Sequence, residues 1–218
     1  MPPPDIKISE FAVVLAGSFT PSVFQPMWFC KNGLLSDPEA TNAVVSVIHP
    51  EVTSFHTEWL TLNVTREHFS AMCSRDESLL LLQDLVAGTF QLFAQSEVRA
   101  MGLNRNFHFQ IESFEARNLI GDILAPKDPW KPLLLNPALA SLQMQGARPA
   151  GEAGTVNVTV QPSMKLKEAG VFVGINDHFD LVKEKTPCNA ADAIKLMKLV
   201  WDESLAQADK IAKSIVSL

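Results

Sequence analysis

Tyrosine is absent from this chain, cysteine is scarce, and no run of apolar residues approaches membrane length. The last absence excludes most. Runs such as Phe11–Gly17 and Leu79–Leu82 fall far short of the roughly 20 apolar residues of a spanning helix, so no membrane partner is expected. The opening Met-Pro-Pro-Pro-Asp has neither the basic start nor the apolar stretch of a secretion signal, which points to a cytoplasmic, bacterial-like protein. Cys30, Cys73 and Cys188 are odd in number and form no Cys-x-x-Cys pair. Reduced thiols suit them better than a disulfide framework. Basic residues number 18 against 24 acidic ones, a formal charge of −6, and the chain lacks the basic face that nucleic acid requires. No nucleic-acid partner is expected. For the absence of tyrosine the sequence offers no physical account. What the chain has in quantity is apolar side chains, 47% against 19% charged, and that balance excludes intrinsic disorder.

The familiar catalytic signatures are missing too. There is no Gly-x-Ser-x-Gly elbow, no phosphate-binding Gly-x-x-x-x-Gly-Lys and no Gly-x-Gly-x-x-Gly. The five histidines, His49, His56, His68, His108 and His178, form no His-x-His or His-Glu-x-x-His spacing, so neither metal nor cofactor is expected. Cys73 and Cys188 each precede a predicted helix, whose N-terminus lowers a thiol pKa. Asp122 with Asp128, and Asp177 with Asp180, are candidate acid–base pairs. Asp128 is better explained as an N-cap, and Asp177 as a turn residue.

Element patterns are clearer. Residues 1–10 read as a loose arm and Phe11-Ala-Val-Val-Leu-Ala as a buried strand. Asp37-Pro38 opens a short helix. Val44–Ile48 and the alternating Leu60-Thr-Leu62-Asn-Val64-Thr are strands. Ser74-x-x-Glu77 is a capping box before Leu79, Leu82, Val86, Phe90 and Phe93, whose spacing predicts a helix over 76–95. A strand starting near Val98 ends in Phe107-His-Phe109-Gln-Ile111. Strands follow at Leu142–Gln145, Val156–Val160 and Val171–Ile175. Asn189-x-x-Asp192 then opens a helix with Ile194, Met197, Trp201, Leu205, Ala208, Ala212 and Ile215 on one stripe.

Glu67-His68-Phe69 and Asp177-His178-Phe179 each follow an apolar strand and precede a long helix. This suggests an α+β domain of internally duplicated β-β-β-α units, half one over 11–111 and half two over 139–218. Residues 112–138, broken by prolines, form the connector. The expected form is a large, mostly antiparallel sheet with two long helices on one face.

Met101-Gly102-Leu103-Asn104-Arg105-Asn106, with this order of elements, resembles a sporadically distributed family of uncharacterised bacterial proteins. In that family the corresponding strand carries a Gly-Leu-Arg-Tyr-Asn-Arg-like motif. The Arg-Tyr element is missing from this chain. The resemblance implies a fold and no activity.

Two candidate sites emerge. Asn104, Arg105, His108 and His178 are candidate ligand-binding residues. Arg105 either recognises an anionic group or forms an internal ion pair, with Asn104 and Asn106 at a bulge. Phe19, Phe24, Met27, Trp28 and Phe29 lie in a proline-punctuated segment and are candidate partner-binding residues. Such a segment either folds over a sheet edge or forms an interface. The expected function is a non-enzymatic binding or assembly module, self-associating or a subunit of a larger bacterial complex. The alternative is a small-ligand binder or enzyme with a pocket between sheet and helices.

Overall fold

A computed structural model describes residues 5–149, 151–166, 169–183 and 186–218. Strand β1 (Asp5–Gly17) leads through a 3-10 turn at Pro21–Val23 into two short helices, α1 (Pro26–Lys31) and α2 (Asp37–Thr41). Four strands follow, β2 (Val44–His49), β3 (Val52–His56), β4 (Leu60–Thr65) and β5 (His68–Cys73), and then α3 (Leu79–Leu92). The chain resumes with β6 (Glu97–Gln110), α4 (Phe114–Leu124), β7 (Leu142–Ala147), β8 (Thr155–Pro162) and β9 (Gly170–Asp180). A small hairpin, β10 (Val182–Lys183) and β11 (Thr186–Asn189), precedes α5 (Ala190–Val216).

The fold is α+β. Its main sheet runs β2-β3-β4-β5-β1-β6-β9-β8-β7, with every neighbouring pair antiparallel. The two long central strands, β1 and β6, pair from Asp5↔Gln110 to Gly17↔Val98. This partnership corrects the reading of residues 5–10 as a loose arm. A backbone ladder holds charged and polar residues in a strand as well as apolar ones; the first four residues lie outside the described ones. Both long helices pack on one face. Leu82, Val86 and Phe90 of α3 and Ala193, Met197 and Trp201 of α5 share a core cluster with Phe11, Val13 and Leu15. The Phe11 and Trp201 rings meet edge to face with centroids 4.9 Å apart. Among the described residues no helix is long and apolar enough to cross a membrane.

Several local signals act as expected, others one step away. Asn189 caps α5, its side chain accepting from Asp192 N. The cap of α2 is Ser36, not Asp37; Ser36 and Glu39 form a reciprocal capping box, and Pro38 sits in the first turn. Ser74 and Glu77 form no such box. A 3-10 turn at Asp76–Ser78 intervenes, and α3 begins at Leu79 without a side-chain cap. Within the stretch read as a connector, Ser113 caps α4 by accepting from Ala116 N. Asp128-Pro129 opens only a hydrogen-bonded turn over residues 127–134.

The proposed register of the repeat does not hold. Residues 62–69 span the turn between β4 and β5, whereas residues 172–179 lie within β9. His68 faces Ala16 at the end of β1 and His178 faces Gly102 in mid-β6, so the two are not equivalent. What does match on either side is layout. From β1 the sheet extends outward through β5, β4, β3 and β2, and from β6 through β9, β8 and β7. After each central strand comes a helical segment, α1–α2 or α4.

Candidate functional site

Because successive strand residues alternate faces, β6 sends its residues two ways. Arg105 points to the helix side. Its Nη2 bonds Asp76 Oδ1 at 3.0 Å, its Nε lies 3.7 Å from Asp209 Oδ1 on α5, and its guanidinium stacks 4.9 Å from the Phe107 ring centroid. Only 6% of the side chain is exposed, so the guanidinium is committed to an internal ion pair and is not presented to a ligand. The register between β6 and β9 is continuous through Asn104 and Asn106, so no bulge sits there.

Asn104, His108 and His178 lie on the opposite face. In the register Asn104↔Asn176 and Asn157↔Asn176, three amides form a ladder across β6, β9 and β8. Asn157 Nδ2 donates to Asn176 Oδ1 at 3.1 Å, and Asn176 Nδ2 donates to Asn104 Oδ1. Gly102 makes room for this ladder, since a Cβ there would come within 2.8 Å of Asn176 Nδ2. His178 is half-buried beside Gly102. His108 is buried under the chain that follows β8. Its Nδ1 lies 2.7 Å from Ser163 Oγ, and Lys165 reaches Glu10 at 2.6 Å to hold that chain down. Burial, and secondarily the Lys165 charge, push the imidazole pKa below its ordinary value, so its neutral form is favoured.

Sequence reasoning missed a second buried arginine. Arg148 Nε donates to Asp177 Oδ2 at 3.1 Å, its Nη2 lies 3.5 Å from Glu203 Oε2, and its guanidinium lies over Phe179. Ser204 Oγ donates to the same Asp177 carboxylate. Asp177 is therefore a buried residue in mid-strand and not a turn residue, and it joins β9 to α5. Nothing local marks it, because its partners are 29 and 27 positions away. Asp122 pairs with Lys127 and Asp128 with Lys131, so the first candidate acid–base pair is divided between two lysines. Cys73 lies in β5 and not at a helix start, and burial pushes its thiol up to about 11. Among the described residues no group of three or more His, Cys, Asp or Glu is placed to hold a metal.

The aromatic segment folds inward. Phe19, Phe24 and Phe29 are buried, and Phe24 contacts Phe69 and Phe93 while Phe29 contacts Phe55. Trp28 stacks on Phe93 at the margin, and Met27 alone of the five is exposed. Most of this candidate partner surface is thus used as the cover of the first half's core.

Exposed apolar side chains occur in both halves: Val44, Val45 and Ile48 on β2 and Leu80, Leu81 and Leu92 of α3 in the first, and a denser group in the second. Phe114, Leu119 and Ile123 of α4 are exposed, as are Trp130, Leu133, Leu134 and Leu135 in the following turn. The sequence signal was present, a tryptophan and three consecutive leucines, but the surrounding prolines gave the stretch the look of a connector. A cavity of about 120 Å³ lies beneath α4, lined by Ile120, Leu139, Val160 and Val171. A cleft of about 450 Å³ separates α3 from α5 at Phe90, Ile194 and Lys198. Neither is lined by Asn104, Arg105, His108 or His178. No protein-family model matches the chain, and no curated protein matches it.

Proposed function

We propose that the chain is a non-enzymatic binding or assembly module that holds a protein partner on the outer surface of α4 and the turn after it. One observation carries this reading. The segments that follow β1 and β6 occupy corresponding places in the layout, and only the first buries its aromatics. Exposed apolar patches of this kind mark interaction sites, and aromatic residues such as Phe114 and Trp130 are enriched at interface cores. Its test is photocrosslinking in the source cell, with a photoreactive residue at position 134 and a control at exposed Lys195. Adducts from 134 and none from 195 are expected. If neither position, nor position 119, yields an adduct, the reading is wrong.

A further inference from the structure

We propose that the partner is a second copy of this chain, joined antiparallel through β7. The inference rests on the reading above and names its occupant.

The first argument is the state of the sheet edges. Strand β7 ends the sheet and has no outer neighbour among the described residues. Edge strands that must stay single are usually guarded by charge, proline or a bulge. Leu-Gln-Met-Gln-Gly-Ala carries none of these, and its register with β8 is continuous. The opposite edge, β2, breaks register between Val45 and Val47. The guarded edge and the unguarded one therefore differ, and the unguarded one adjoins the apolar surface. Leu142 packs against the cluster beneath α4 that contains Ile120. Met144, 62% exposed, lies in the row of Val158 and Ile175, on the helix side of the sheet.

The second argument is charge. Residues 113–147 carry Glu115, Asp122 and Asp128 against Arg117, Lys127 and Lys131, three of each. The whole excess of −6 therefore lies elsewhere on the chain. Two acidic molecules repel one another, and the repulsion is least where the facing surfaces are neutral. An antiparallel pair of identical strands has two-fold symmetry, so the contact closes on itself and consumes the unguarded edge, leaving as outer edges the two β2 strands with their broken register. A six-residue strand pair is too small for a stable interface, which needs about 800 Å² per partner; the exposed face of α4 and Leu133–Leu135 would supply the remainder.

The test is sedimentation of the full chain across a concentration series. The wild type is compared with Met144→Lys, Met144→Glu and Leu134→Asp, each checked for an unchanged melting temperature. A dimer is expected, weakened at least about tenfold by each substitution, because like charges would face each other near the two-fold axis. Mixing the Lys and Glu variants restores association, a result that only a self-pairing contact at this site gives. A dimer indifferent to all three variants overturns the proposed surface. A strict monomer that still crosslinks from position 134 to a different protein overturns the second copy and leaves the binding reading standing. A monomer without adducts overturns both.

Discussion

The two halves of the sheet bury their helix-side faces by different means. Around β1 the core is aromatic: Phe11, Phe19, Phe24, Phe29, Phe55, Phe69 and Phe90 interlock beneath α1 and α3. Around β8 and β9 it is smaller and mostly aliphatic: Val156, Val160, Val171, Val173 and Ile175 pack with Phe107 and Phe109 of β6 and with Ala208, Ala212 and Val216 of α5. The segment after β1 turns its rings inward, and Thr53 Oγ1 secures it by donating to Pro21 O at 2.8 Å. The segment after β6 buries Ile120, tucks Leu124 partly against the same cluster and leaves Phe114, Leu119, Ile123, Trp130 and Leu133–Leu135 outside. A sheet this wide needs an apolar cover along its length. The first half supplies much of its own with buried aromatics, and under the proposed reading the less covered α4 segment is where a partner has surface to gain.

The contrast should be visible in stability. Phe69→Ala removes a fully buried ring that touches Phe19, Phe24 and Phe90. It should cost about 3–5 kcal/mol in denaturant unfolding. Val173→Ala, equally buried in the second half, should cost about 2 kcal/mol. Equal losses would contradict the view that the first half is the more deeply packed.

The two buried arginines sharpen the comparison. Asp177→Ala leaves Arg148, whose side chain is 1% exposed, with the half-exposed Glu203 at 3.5 Å as its one remaining carboxylate, and should cost about 3 kcal/mol. Asp209→Ala leaves Arg105 with Asp76, and both of those carboxylates reach solvent, so about 1 kcal/mol or less is expected. Chemical denaturation of the two variants side by side decides the matter, and a costlier Asp209→Ala would reverse the assignment.

The smallest effect concerns pH. His108 titrates below its ordinary 6.5 because burial, then Lys165, disfavours the imidazolium. The unfolded chain therefore binds a proton more readily than the folded one, and stability rises with pH across that window. The contribution is fully present above 6.5 and is lost as pH falls through the lower folded value. Melting temperatures of the wild type and His108→Asn, compared from pH 7.5 downward, should diverge below 6.5, with the wild type losing more. Parallel curves would show that His108 carries no such linkage.

Much of the fold was legible in short-range patterns. Alternation located β4, a half-buried pattern located β8 and an apolar run located β9; helical spacing located α3 and α5, and the Asn189 cap stood where its side chain indicated. The hairpin partner β5 was missed although Phe69, Ala71 and Cys73 alternate with His68, Ser70 and Met72, because Glu67-His68-Phe69 reads as a repeated strand end. Of the candidate site residues, Asn104, His108 and His178 do share one face, and Arg105, one position from Asn104, lies on the other. That separation follows from strand alternation and needed only the strand assignment to be read.

By itself the sequence determined the most strongly periodic segments, among them β4, β8, α3 and α5, and the α+β class. Those properties depend on periods of two and of 3.6 residues, which neighbouring side chains impose directly. Tertiary structure alone decided that Arg148 meets Asp177, that β6 lies beside β1, and that one apolar segment is covered while its counterpart is left open. Each depends on which distant elements pack together, and burial is a property of that packing and not of any local pattern.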